Sequence, residues 1–174
     1  MNIAKQKEIV ALENEQKELM NKYSQQKGQL IQARREAMIN TGMNELRTYL
    51  EQIGFVFTKE TIDYKAESDG VIIKIRKIND SIDVWMPNNE HYYIKIDVNS
   101  PQESFTKQSG LSQSQEIEAI KEIIDNIKSA FSRIDQVTFE YKVKKGRTDS
   151  SWNPSDHVTT NHPEFHTVLA EMFS

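Results

Sequence analysis

The first fifty-odd residues read as one long or once-broken helix, and from Gly54 onward the apolar residues switch to a period of two. That layout constrains the fold more than any other feature. A helix of this length draws little stability from its own backbone and must lay an apolar stripe against a partner, from the same chain or from a second copy. With Ile9 at heptad position a, Leu12, Leu19, Tyr23, Leu30, Ala33 and Ala37 also fall at a or d, interrupted by Gln16 and Gln26. This is a coiled-coil pattern, with Ile9, Leu12, Leu19, Tyr23 and Leu30 as the expected oligomerisation residues.

The charges along the helix bear on its orientation. A parallel in-register dimer would set Glu8 against Glu13 and Lys22 against Lys27, both repulsive. Glu8, Glu13, Glu15 and Glu18 lie early, whereas Lys22, Lys27, Arg34 and Arg35 lie late. Antiparallel pairing brings unlike charges together, either between two chains or in a hairpin bent near Ser24–Gly28, at a few tenths of a kcal/mol per pair, roughly. Asn40-Thr41-Gly42 is expected to break the helix. Met43, Leu46, Tyr49, Leu50 and Ile53 then resume helical spacing, and Gly54 stands where a C-terminal cap glycine belongs.

Beyond Gly54 the pattern is that of an antiparallel meander. Phe55 to Ala66 is one strand region, closed by the hairpin signal Asp69-Gly70. Val71, Ile73 and Ile75 alternate with Ile72, Lys74 and Arg76 up to a turn at Asn79-Asp80. Ile82, Val84 and Met86 alternate with Asp83 and Trp85, and after Pro87–Glu90 a strand carries Tyr92, Ile94, Ile96 and Val98. Residues 99–113 are polar and read as a loop, with Ser112 and Gln115 spaced for a capping box. Ile117, Ile120, Ile124, Ile127, Phe131 and Ile134 mark an amphipathic helix, expected to cover the sheet. Val137, Phe139, Tyr141 and Val143 supply a fifth strand, residues 144–161 read as polar loop, and Pro163 suits the first turn of a short last helix. The expected fold is α+β: a coiled-coil arm over 1–40, then a domain over 41–174 with about five antiparallel strands covered by the helix near 115–133.

The chain of 174 residues has a formal charge of −4, so no global basic bias argues for nucleic acid. Cysteine is absent, which removes disulfides, thiolate metal sites and cysteine nucleophiles. A polar segment follows Met1 and no apolar run approaches the ~20 residues that span a bilayer. The expectation is a cytoplasmic protein without membrane attachment and without a cofactor.

Three constellations are candidates for function. If Val84 and Ile94 face the core, Lys74, Arg76, Trp85, Tyr93, Lys95, Lys142 and Lys144 share the opposite face, with Lys145 and Arg147 at a strand end and Trp152 in the following polar segment. Such a face can dock a protein, and its basic and aromatic residues also match a single-stranded nucleic-acid platform, although Asp83, Asp97 and Glu140 on the same face weaken that reading. His157, His162 and His166 lie near Asp156 and Glu164, and a helix starting at 162 would place His162 and His166 one turn apart, as in many zinc sites. Glu140-Tyr141-Lys142 matches the Glu-x-Lys half of a nuclease metal site, which would need Asp83 or Asp97 from an earlier strand. There is no phosphate-cradling glycine loop, and Ser150 and Ser151 have nothing to orient them as nucleophiles.

The leading expectation is a non-enzymatic protein-binding module, homodimeric through its helix, acting as an adaptor or inhibitor. In style the chain suits an accessory protein of a bacteriophage or mobile element. A single-stranded nucleic-acid binder is the alternative, and a metal-dependent hydrolase or nuclease at the histidines or the Glu-x-Lys strand is the third reading.

Overall fold

The computed structural model describes residues 2–148 and 158–174. In chain order the elements are α1 (Ile3–Gln52), β1 (Val56–Lys59), β2 (Asp63–Ser68), β3 (Val71–Ile78), β4 (Ser81–Trp85), β5 (Glu90–Asn99), α2 (Gln113–Phe131), a 3-10 turn (Ile134–Gln136), β6 (Thr138–Arg147), β7 (Val158–His162) and α3 (Phe165–Met172). The fold is α+β. Packing divides it into two compact units, Met1–Gln32 with Asn99–Thr138 and Ala33–Val98 with Phe139–Ser174.

In the first unit the early part of α1 lies beside α2. Ile9 packs with Ile117, Ile120 and Ile124, with Leu12 and Leu19 against that cluster. Tyr23 packs with Ile123, Ile127 and Ala130. The apolar stripe of α1 therefore finds its partner in the same chain. Ion pairs follow the same register: Glu8 meets Lys121 at 3.3 Å and Glu15 meets Lys128 at 3.4 Å. Partners advance in the same sense along both helices, so the two run parallel, unlike the antiparallel pairing expected. Glu8 and Glu15 thus find lysines on α2, Glu13 pairs with Lys107 in the segment before it, and Glu18 pairs with Lys22 within α1. At the start of α2, the Ser112 backbone N–H donates to Gln115 Oε1 at 3.0 Å, half of the expected capping box.

The second unit is a seven-stranded sheet in chain order from β1 to β7, with antiparallel neighbours. Its core joins Ile73, Ile75, Ile82, Val84, Ile94 and Val143 to Ile39, Met43, Leu46 and Leu50 of α1 and to Phe165, Val168, Leu169 and Met172 of α3. Thus α1 and α3 cover this sheet, a correction to the expectation that the helix near 115–133 would do so. An amphipathic stripe states how much surface needs cover without naming the surface it meets.

The expected break at Asn40-Thr41-Gly42 does not occur, because α1 runs through it, and the helix is also continuous through Ser24–Gly28, where a hairpin bend was the lesser alternative. Gly42 serves packing there: a Cβ on it would stand 2.7 Å from the Phe165 ring. The helix ends where expected. Gly54 has φ +94°, its N–H donates to the Glu51 carbonyl at 3.2 Å, and the Phe55 N–H reaches the Leu50 carbonyl at 2.9 Å. This double closure is a Schellman motif, which needs a left-handed residue at that position.

The sheet has two strands more than expected. The region 55–66 folds into β1 and β2, joined where the Glu60 N–H donates to the Asp63 carbonyl at 2.8 Å, a turn without glycine or proline. The other addition is β7, an edge strand of sequence Val-Thr-Thr-Asn-His that lacks apolar alternation. The Asp69-Gly70 hairpin forms as expected, with φ of 48° and 82°.

Candidate partner-binding face of the sheet

The ladder determines which side chains share the face away from α1 and α3. Asp63 stands opposite Arg76, Arg76 opposite Asp83, and Asp83 opposite Tyr93. One row on, Lys65, Lys74, Trp85 and His91 stand opposite one another in turn. Alternation adds Lys95 and Asp97 from β5, and the Lys142–Asp97 ion pair at 3.2 Å brings in β6 with Glu140 and Lys144.

At the centre stands Trp85. The His91 ring stacks on it at 5.0 Å between centroids and 7° between planes. The Arg76 guanidinium lies over the indole at 5.5 Å from its centre. The two groups belong to β5 and β3, the strands that flank β4. Each is itself anchored. Arg76 makes a bidentate pair with Asp63, at 2.7 Å from Nε to Oδ1 and 3.0 Å from Nη2 to Oδ2. This pairing holds the Asp63 carboxyl below its usual range and the guanidinium above its own. His91 Nε2 lies 2.7 Å from Asp83 Oδ1, and since a carboxylate only accepts, Nε2 carries the hydrogen. Asp83 is 9% exposed, so the imidazole supplies the partner that a nearly buried carboxylate requires.

The other acids of the face are also engaged. Glu67 pairs with Lys65, and Asn161 Nδ2 donates to Glu140 Oε1 at 2.8 Å. By contrast Lys74, Lys95 and Lys144 make no ion pair among the described residues. Lys74 and Lys144 are exposed, and Lys95 and Tyr93 are half-buried.

Of the expected contact residues, the ladder brings together Lys74, Arg76, Trp85, Tyr93, Lys95, Lys142 and Lys144. Arg147, the last residue of β6, falls by alternation on the side of Tyr141 and Val143. Trp152 lies outside the described residues, as do Ser150, Ser151, Asp156 and His157. His91 was not a sequence candidate. The signal for it is the pairing of positions 85 and 91 across the turn at Pro87–Glu90, which brings an imidazole beside an indole.

His162 and His166 lie on different elements and take different partners. His162 ends β7, opposite Tyr141 in the ladder, so the last helix begins at Phe165 and not at 162. Its Nε2 meets Glu171 Oε2 at 2.7 Å and its Nδ1 meets Thr167 Oγ1 at 3.0 Å. His166 is exposed on α3 and pairs with Glu164 at 3.0 Å. No group of three metal-binding side chains is present among the described residues. In the Glu-x-Lys strand, Asp97 is taken up by Lys142 itself.

Of the expected oligomerisation residues, Ile9 and Tyr23 are buried against α2, Leu12 and Leu19 are half-buried there, and Leu30 is exposed. The Tyr23 hydroxyl donates to Glu103, and Phe105 and Phe131 meet its ring edge-on at 5.9 and 5.4 Å. Burial, with Glu103 next, pushes the Tyr23 phenol above its usual range. No helix among the described residues is long and apolar enough to cross a membrane.

No protein-family model matches the chain, and no curated protein or solved structure matches it.

Proposed function

We propose that this chain is a non-enzymatic protein-binding module, an adaptor or inhibitor, that docks its partner on the sheet face centred on Trp85. One observation carries the reading over its nucleic-acid rival: the Trp85 indole is already engaged, stacked by His91 and overlain by the Arg76 guanidinium. A single-strand platform needs a bare ring on which a base can stack. An engaged indole instead sits within a rigid, pre-ordered patch, and a tryptophan beside an arginine is the usual composition of a protein–protein hot spot. The acids Asp83, Asp97 and Glu140, spread among the cations, oppose a continuous phosphate backbone.

Self-association remains a separate element of the proposal. Since α2 covers the stripe from Ile9 to Tyr23, a second copy would engage the exposed Leu30.

The test is site-specific photo-crosslinking in the producing cell with the photoreactive residue at position 95. The reading expects a discrete protein adduct that disappears in Trp85→Ala. A nucleic-acid adduct, or a protein adduct indifferent to Trp85, overturns it.

A further inference from the structure

We infer that the partner presents an acidic, extended segment to this face, with its carboxylates over Lys74, Lys95 and Lys144. The inference rests on the protein-binding reading and deepens it. Its basis is the pairing pattern of the face. Asp63 is held by Arg76, Asp83 by His91, Asp97 by Lys142 and Glu67 by Lys65, while Glu140 accepts from Asn161. Every acid has a neighbour. Lys74, Lys95 and Lys144 have no ion-pair partner among the described residues. Six cations of the face (Lys65, Lys74, Arg76, Lys95, Lys142 and Lys144) stand against five acids (Asp63, Glu67, Asp83, Asp97 and Glu140), so within a chain of net charge −4 this face is slightly positive, and the ammonium groups without an ion pair are those of Lys74, Lys95 and Lys144.

The spacing of that charge selects the occupant. Lys74 stands opposite Trp85 and Lys95 opposite Ser81, so the two lie on either side of β4 and four residues apart along it. Strand geometry separates their backbones by roughly 17 Å. An extended peptide covers that distance in about five residues. A peptide can put carboxylates at the two ends and neutral residues between them, over Asp83 and the engaged indole. A nucleic-acid strand cannot, because its phosphates recur at every nucleotide and some must fall beside Asp83 or Asp97. Ammonium groups on flexible stems also suit single carboxylates, for which the bidentate fork of arginine is not required.

The experiment uses the full chain and three fluorescent probes of matching length: a peptide with two glutamates separated by four serines, the same peptide with glutamine for glutamate, and oligo-dT. Anisotropy is read at low and at physiological salt. The expected result is that the acidic peptide binds, weakens as salt rises, and loses about tenfold in affinity in the triple variant Lys74→Glu, Lys95→Glu, Lys144→Glu, as loss of charge complementarity requires. Circular dichroism of that variant should be unchanged, since these lysines are exposed or half-buried and make no ion pair. Two results overturn the inference and leave the protein-binding reading standing: the glutamine peptide binding as well as the acidic one, or no peptide binding while the crosslink at position 95 still captures a protein in a Trp85-dependent way. Oligo-dT binding in preference to the acidic peptide overturns both.

Discussion

Phe165 lies against the backbone of Gly42, so that a Cβ built on that glycine would stand 2.7 Å from Cδ2 and Cε2 of the ring. The ring cannot easily move aside. Phe165 is 2% exposed and meets Tyr141 edge-on at 5.1 Å. Gly42→Ala should therefore destabilise the second unit. The helix gains about 1 kcal/mol in propensity, but overpacking a closed core costs about 1–3 kcal/mol. Adding Phe165→Leu to Gly42→Ala should recover part of the loss, because the shorter side chain vacates the space. Denaturant melts of the single and double variants measure both effects. A Gly42→Ala protein as stable as the parent would show that the ring yields.

Gly28 is the opposite case. It also sits inside α1, but nothing lies within 4 Å of the position a Cβ would take, and it is exposed. Gly28→Ala should stabilise the helix by about 0.5–1 kcal/mol, since propensity is the one effect left. A thermal melt that shifts upward fits this account, and a downward shift would refute it.

These two glycines mark what could be read from the chain alone. Local chemistry was legible. Gly54 as a cap, Asp69-Gly70 as a hairpin and Ser112 with Gln115 at a helix start each act within a few residues, and each forms. Assignment of partners was not. Gly42 looked like a break because its reason, the Phe165 ring, lies far along the chain. The isoleucine stripe of α2 looked like sheet cover because nothing in it records that Ile9, Leu12 and Leu19 need the same surface. The edge strand β7 carries no apolar alternation, so it resembled a loop. The candidate face was partly legible, since alternation sorts Trp85, Tyr93 and the lysines to one side. Only the register reveals that His91 and Arg76 engage Trp85 and that each acid has a partner.

Tyr141 ties stability to alkaline pH. Its hydroxyl donates to the Met38 carbonyl at 2.8 Å and the residue is 3% exposed. Burial, with the nearby Glu45 next, pushes its phenol up to about 12 from 10.0. The native state therefore keeps a proton that the unfolded chain releases above pH 10. The contribution is fully present below pH 10 and is lost as pH rises through 12. Lys145, pushed up to about 12 chiefly by its hydrogen bond to Glu90, acts in the same direction from 10.5 upward. Tyr141→Phe should cost about 1 kcal/mol at neutral pH, the usual worth of a hydrogen bond. It should also make the decline in stability above pH 10 shallower, leaving the contributions of Lys145 and of the raised phenols of Tyr23 and Tyr92. Urea midpoints across that range test the prediction, and an unchanged slope in the variant would mean that Tyr141 does not titrate in the window assigned to it.

Ile120 tests which surface holds the first part of α1. It is fully buried and packs with Ile9, Ile117 and Ile124. Truncation to alanine leaves a cavity among branched side chains and should cost about 2–5 kcal/mol. The loss should fall on both helices of the first unit, because α1 depends on α2 for cover from Ile9 to Tyr23. Hydrogen exchange of Ile120→Ala should then show faster amides in the early part of α1 as well as in α2. A coiled coil between two copies predicts something else. There Ile9, Leu12 and Leu19 would be shielded by the second chain, and the variant would leave α1 protection and oligomeric mass as they are in the parent. Exchange combined with light scattering on the same sample separates the two cases, and protection retained in α1 would rule out the intrachain pairing.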